Sequence, residues 1–171
     1  MIRAHLATFP PRRRILRRVV EAILPQVDHL FVVLNKYDAV PRYLAKEPRV
    51  TAVIPDRDVK DAGKLWFAPD PDDLVFLIDD DLGYPPDYVA LSIERAHQIG
   101  WDEHVFGYLG FNYRGEDPTG RERRWKPIKF IARLGHPTGV RMLGTGTVVA
   151  RGDAVPPVDS MAPFSGHADI G

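Results

Sequence analysis

The chain has 171 residues, 44% of them hydrophobic and 27% charged, which is the composition of one globular domain with a real core. Acidic and basic residues balance at 23 each, so the overall charge favours neither nucleic acid nor an anionic membrane as a partner. Cysteine is absent, which excludes disulfides and thiolate metal sites and fits a reducing compartment. With no apolar run near the roughly 20 residues of a bilayer span and no signal peptide, we expect a cytoplasmic protein without a transmembrane segment.

The first hundred residues alternate between short apolar strands and helices. Apolar residues recur at helical spacing from Ile15 to Leu24, with arginines between them. The run from His29 to Leu34 is almost continuously apolar, as in a parallel strand buried on both faces. This order predicts an α/β fold with a mostly parallel central sheet flanked by helices. The predicted strands cover 2–7, 29–34, 50–54 and 74–78, and the predicted helices cover 12–24, 41–46 and 87–99.

The alternation is less regular after residue 100. We expect a strand within 104–111, a polar loop over 114–124, a strand or hairpin arm within 125–134, and a turn at 144–147 that leads into a last strand. We find no internal repeat and no second domain. Residues 1–171 are therefore predicted to form one domain.

Three consecutive carboxylates, Asp79, Asp80 and Asp81, directly follow the apolar run 74–78. Ligands of α/β sheets bind beyond the carboxyl ends of strands, and three adjacent acids repel one another unless a cation or hydrogen-bond donors compensate them. In an extended strand Asp79 and Asp81 would face the same way and could share one cation. Oxygen ligands suit Mg²⁺ or Mn²⁺, so we expect a metal site that holds a phosphate-bearing substrate. The plain alternative is a solvated, aspartate-rich turn.

Six segments in this order resemble family 2-type glycosyltransferases with a GT-A fold, in particular a bacterial subgroup with an Asp-x-Asp motif. An Asp-x-Asp motif alone is common, but six matches in order are fairly specific, and they cover nearly the whole chain. The segments are Thr8-Phe9-Pro10-Pro11-Arg12, Val33-Leu34-Asn35-Lys36-Tyr37-Asp38, Asp61-Ala62-Gly63-Lys64, the acids with Tyr84-Pro85-Pro86-Asp87, Gly144-Thr145-Gly146-Thr147 and Ala168-Asp169-Ile170.

The resemblance implies a metal-dependent, inverting hexosyltransferase-like enzyme of polysaccharide biosynthesis. Such an enzyme moves a sugar from a nucleotide-diphosphate sugar, with a UDP-sugar favoured, to a hydroxyl of a glycan or small-molecule acceptor. Mn²⁺ or Mg²⁺ would be the cofactor, held by Asp79 and Asp81, and Asp169 would be the catalytic base that removes the acceptor proton. The residues expected to bind the donor are Thr8, Pro10, Arg12, Asn35, Asp58, Lys64, Asp79 and Asp80.

Several of these residues have plainer interpretations. Arg12 borders the arginine-rich face of a helix, and Asn35 could be a turn residue. His167 could be a metal ligand, a pocket residue or an ordinary surface histidine. Trp125 could stack on a sugar or pack in the core. Asp169 is two residues from the end of the sequence. We therefore expect a domain that is compact or truncated on its acceptor side, or an acceptor site completed by a homo-oligomer or a partner chain.

Two other functions stay open. A sugar-nucleotide nucleotidyltransferase also uses an α/β sheet and metal-binding carboxylates, but that class usually has a glycine-rich loop after its first strand, and residues 8–11 contain no glycine. A non-catalytic sugar-nucleotide-binding module of a glycan-assembly complex would keep the donor pocket without turnover.

Overall fold

A computed structural model of the chain describes residues 1–114, 124–129 and 134–161. Its strands are β1 (Ile2–Thr8), β2 (His29–Leu34), β3 (Val50–Val53), β4 (Leu74–Ile78), β5 (Gly110–Arg114), β6 (Arg124–Ile128), β7 (Met142–Leu143) and β8 (Thr147–Arg151). Its α-helices are α1 (Arg13–Ile23), α2 (Arg42–Ala45), α3 (Tyr88–Ile99) and α4 (Val158–Met161). Short 3-10 helices cover Pro10–Arg12, Leu24–Gln26, Lys60–Leu65 and Gly152–Ala154.

The main sheet has five strands in the order β3-β2-β1-β4-β8. The first four are parallel and β8 runs antiparallel to β4, which confirms the predicted mostly parallel sheet flanked by helices. The carboxyl ends of parallel strands all lie at the same end of their sheet. Here that end, which we call the carboxyl edge, is formed by the ends of β1 to β4 and by the start of β8, where Ile78 pairs with Thr147. The chain order reverses between β1 and β4, so this is the sheet's topological switch point.

The second sheet is small and antiparallel, with the order β6-β5-β7. The prediction of a strand within 104–111 is met only at its last two residues, because β5 begins at Gly110 and the residues before it contribute a single bridge, between Phe106 and Val149. The reason is that this stretch lies across the start of β8. The amide of Tyr108 donates to the side-chain hydroxyl of Thr147 at 3.0 Å.

Helices α1 and α3 cover one face of the main sheet. Alternating residues of the strands point at them, and apolar and tyrosine side chains form the shared cluster. Helix α1 is one residue shorter at each end than predicted, because 3-10 turns containing Pro10 and Pro25 flank it. The central members of this cluster are Ala4, Leu6, Leu16, Val19, Ile23, Leu34, Phe76, Ile78 and Val89.

Gln26 fastens the start of α3 to the end of α1. Its side-chain oxygen accepts from the amide of Val89 at 3.0 Å, and its side-chain nitrogen donates to the carbonyl of Pro85 at 2.9 Å. Asp87, at the usual capping position, makes no side-chain cap. Gln26 therefore satisfies an otherwise orphan helix donor and holds the loop that leads into α3.

The opposite face of the main sheet is covered by α4 and by the 3-10 helix Lys60–Leu65, which we call the Lys64 segment. The polar residues buried in this layer include Arg3 at 4% exposure, His5 at 0% and Asp73 at 3%. Arg3 donates to Asp73 at 2.8 Å and lies 4.0 Å from the ring centre of Phe31. We call these residues the Arg3–His5–Asp73 cluster.

None of the helices within the described part of the chain combines the length and apolar character needed to cross a membrane.

Burial lowers the pKa of His5 from its ordinary value of 6.5 to about 4, and the neighbouring charge of Arg3 acts in the same direction. A lowered pKa in the folded state means that the unfolded chain takes up the proton first as the pH falls. His5 therefore makes its full contribution to stability above pH 6.5. As the pH falls from 6.5 towards 4, the free energy of unfolding decreases by on the order of 3 kcal/mol on account of His5.

We expect His5→Asn, which cannot titrate, to flatten this dependence. Urea unfolding at pH 7.0, 6.0 and 5.0 measures the effect as the difference between the wild-type and variant slopes, which removes contributions from other titrating groups such as His29. Parallel slopes for the two proteins would contradict the prediction.

Candidate functional site

The acid triplet Asp79-Asp80-Asp81 lies at the carboxyl edge, but beyond the strand. Strand β4 ends at Ile78, and Asp80 and Asp81 form a turn. The alternation of side chains along a strand therefore does not orient Asp79 and Asp81 in the way that the sequence had led us to expect. Instead each carboxylate has a different partner from a different part of the chain.

Asp80 is the buried member of the triplet, at 8% exposure. It accepts a hydrogen bond of 2.7 Å from the hydroxyl of Thr8, the last residue of β1. Burial raises the pKa of the Asp80 carboxyl, although the bond from Thr8 and the charge of Arg12 oppose this rise. The Thr8 hydroxyl thus joins β1 to β4 across the topological switch point, and with 2% exposure Thr8 is an internal support of the site.

Asp81 forms an ion pair with Arg12, whose guanidinium also lies 3.7 Å from Asp80. The hydrogen bond to Asp81 raises the pKa of Arg12. Pro10 begins the 3-10 turn that returns the chain over the strand end, and the Arg12 amide closes this turn on the carbonyl of Phe9 at 3.0 Å. The side chains of Arg12 and Asp81 are 33% and 39% exposed, so this pair faces solvent.

Asp79 forms an ion pair with Lys64, whose side chain is only 3% exposed. The Lys64 ammonium also donates to the carbonyl and the hydroxyl of Thr145, at 3.1 and 3.2 Å. The Lys64 segment reaches this position because Gly63, which has no side chain, lets its backbone pack closely against the sheet. A Cβ there would come within 2.9 Å of a methyl carbon of Val33.

Tyr84 and Gly146 complete the surroundings of Asp79, and neither was expected at the site from the sequence. The Tyr84 hydroxyl accepts from the amide of Asp79 at 2.8 Å and donates to the carbonyl of Gly146 at 2.6 Å. Burial raises the pKa of this hydroxyl, which stays protonated. A Cβ on Gly146 would overlap the Asp79 carboxylate, so only glycine leaves room for it. Both residues belong to segments that resembled a known family, and this was the one available signal.

Asn35 directly follows β2, and Asp58 lies in the loop between β3 and the Lys64 segment. The Asn35 side chain accepts from the amide of Val59 and donates to the carbonyl of Lys60, both at 3.0 Å, and it is buried. Asp58 pairs with Lys36 at 2.7 Å, which lowers the pKa of its carboxyl. Lys36 and Lys60 both have positive φ, 57° and 48°, a strained conformation for lysine. Asn35 therefore supports this loop from below, and Asp58 faces outwards.

The expected site residues that the structure describes lie along the carboxyl edge, in the loops that follow β1, β2, β3 and β4. Asp58 lies at one end and the acid triplet at the other. Across the described ranges, no three His, Asp or Glu side chains converge as they would around a metal ion. Asp79 and Asp81 are the residues that could hold a metal ion here, and Mg²⁺ or Mn²⁺ would need phosphate oxygens or water as its further ligands.

Asp169 and His167 lie outside the described residues. Trp125 lies in β6, which pairs with β5. A comparison with models of protein families found no match, and a comparison with curated proteins found none either.

We expect Gly146→Ala to destabilise the protein by about 1–3 kcal/mol, because the new methyl group must displace Asp79 from Lys64. Gly83→Ala is the matched control, since it lies in the loop after the acid triplet and a Cβ there meets nothing within 4 Å. Urea unfolding should give an unchanged or slightly raised free energy of unfolding for the control. Equal effects of the two substitutions would show that Gly146 is not a close-contact position.

Proposed function

We propose that this chain is a metal-dependent, inverting glycosyltransferase with a GT-A fold, which uses a nucleotide-diphosphate sugar as donor. The observation that supports this proposal is the convergence of Thr8, Arg12 and Lys64 on the acid triplet at the switch point of a parallel sheet. The carboxylates could bind a metal ion, and the side chains of Arg12 and Lys64 could bind phosphates. Together they suit a metal ion bound to a diphosphate at such a switch point.

Arg12 and Lys64 are the residues proposed to bind the diphosphate. Each now neutralises a carboxylate, Asp81 and Asp79 respectively. A bound Mn²⁺ or Mg²⁺ would supply neutralisation of the charge that builds on the leaving diphosphate. The guanidinium and the ammonium can then turn from the carboxylates to phosphate oxygens, with which they form charge-assisted hydrogen bonds.

The nucleoside would lie along the carboxyl edge towards β3. The outward-facing carboxylate of Asp58 can accept from the N–H groups of a base, and the supported loop at Asn35 forms the floor beneath it. This placement puts the sugar beyond the acid triplet, away from Asp58. A UDP-sugar remains the favoured donor by resemblance.

Asp169 remains the proposed catalytic base. As the acceptor oxygen attacks C1 of the sugar, its proton passes to the carboxylate while the bond from C1 to the diphosphate oxygen breaks. Attack opposite the leaving group inverts the configuration at C1. The acceptor is proposed to be a hydroxyl of a glycan or a small molecule.

A thermal-shift panel of nucleoside diphosphates and sugar nucleotides, with and without Mn²⁺, tests donor binding. A ligand at about 100 times its dissociation constant should stabilise the protein by roughly 2.7 kcal/mol. We expect a metal-dependent shift with UDP or a UDP-sugar that Asp81→Asn and Lys64→Gln each remove.

Asp102→Asn is the control for these two variants, since Asp102 is exposed and lies near Arg151 at the opposite edge of the sheet. It should keep the full shift. No metal-dependent shift with any nucleotide would contradict the proposal.

Turnover is tested separately with Asp169→Asn. We expect this variant to keep the metal-dependent shift but to lose sugar transfer in an assay of nucleoside diphosphate release. Full activity of the variant would refute the role of Asp169. Release of pyrophosphate from a nucleoside triphosphate would instead identify a nucleotidyltransferase, and binding without transfer or hydrolysis by the wild type would identify a binding module.

A further inference from the structure

The Arg3–His5–Asp73 cluster is not explained by donor binding or by the needs of a hydrophobic layer. His5 is fully buried in the middle of β1 and Arg3 nearly so. Burying such groups is costly unless they are hydrogen-bonded, and well-packed apolar residues often serve stability as well as a buried ionic group does. The hydrogen bonds that the cluster makes therefore indicate what it contributes.

The hydrogen bonds of Arg3 fix which nitrogen of the His5 ring donates and which accepts. Arg3 can only donate, so its Nε–H bond of 2.8 Å makes Nε2 of His5 the acceptor. Neutral His5 must then carry its proton on Nδ1, which lies 2.8 Å from the carbonyl oxygen of Lys64 and donates to it. Asp73 holds Arg3 at the other end at 2.8 Å. The cluster thus fixes the tautomer of His5, whose Nδ1–H donates a hydrogen bond to the backbone carbonyl of Lys64.

The Lys64 segment needs such an anchor. Its first residue, Lys60, has a positive φ and is held by Asn35, and Gly63 rests on Val33. The His5 bond is at the other end of the segment, on the residue whose ammonium reaches Asp79. A lysine side chain is long and flexible, so the position of its backbone decides how well the ammonium is placed.

We propose that Arg3 and His5 are positioning residues, which hold the Lys64 segment so that the Lys64 ammonium is placed at the carboxyl edge for a diphosphate. The part of this inference that concerns the diphosphate rests on the proposed function. The part that concerns the segment does not.

Two polar substitutions of His5 separate the contacts. The side-chain amide of Asn reaches the place of ring Nδ1, so His5→Asn keeps the donor to Lys64. The longer amide of Gln reaches the place of ring Nε2, so His5→Gln keeps the contact with Arg3 and loses the donor to Lys64. Both side chains are neutral and of comparable polarity, so each is the control for the other.

Two measurements follow on the full chain. Hydrogen exchange of the Trp66 amide, which donates to Gly63 at 3.1 Å, reports the order of the segment without any ligand. Titration with UDP in the presence of Mn²⁺ reports the diphosphate site. We expect His5→Gln to speed the exchange and to weaken UDP binding by about tenfold or more, by analogy with supporting residues of metal sites. His5→Asn should stay within about threefold of the wild type in both.

Equal behaviour of the two variants would overturn the inference. Faster exchange in His5→Gln with unchanged UDP affinity would support the anchoring of the segment and overturn the part that concerns the diphosphate. Leu30→Ala, a loss of core packing on the other face of the sheet, shows the effect of lowered stability alone and should leave UDP affinity unchanged. If His5→Gln does not fold, Arg3→Lys replaces it, because it keeps a charge beside Asp73 without the planar donor that orients His5, and it should also speed exchange. If the wild type binds no UDP, the proposed function fails, and exchange at Trp66 alone decides whether His5 holds the segment.

Discussion

Three adjacent carboxylates at the edge of a sheet are the constraint on which this structure depends. Their mutual repulsion must be compensated, and the fold does so with partners from separate elements. Thr8 comes from the end of β1, Arg12 from the turn before α1, and Lys64 from the 3-10 helix on the opposite face. The acid triplet therefore joins three elements of the chain at this edge.

Strand β1 contributes residues to both faces of the sheet and, at its carboxyl end, to the candidate site. Its residues alternate, so Ala4 and Leu6 pack under the helices while Arg3 and His5 lie under the Lys64 segment. A shift of one residue in its pairing would exchange these two sets and place charged groups in the apolar core. The same register sets Thr8 at the strand end opposite Asp80, so the core pattern and the candidate site depend on one pairing.

The sequence predicts the first hundred residues well because their signals are local: apolar periodicity, prolines at helix ends and acids after a strand. Contacts such as the bond from Tyr84 to Gly146 are set by β8 lying antiparallel beside β4, and no local pattern carries that pairing. The strand expected within 104–111 begins only at Gly110 for the same reason, since the Tyr108 amide donates to the Thr147 side chain. Arg3 and His5 were missed because polar residues that alternate with apolar ones indicate an exposed strand face, whereas here a 3-10 helix covers them.

Charge balance argues for coupled binding at the proposed donor site. The three aspartates and the two cations that pair with them carry a formal charge of minus one. A divalent metal ion and the diphosphate of a sugar nucleotide, with about two negative charges, leave that sum unchanged when they bind together. Either one alone shifts it by two charges in a partly buried setting, where such a change is costly. At the proposed donor site, the ion pairs with Arg12 and Lys64 would therefore favour binding of the metal and the nucleotide as one complex.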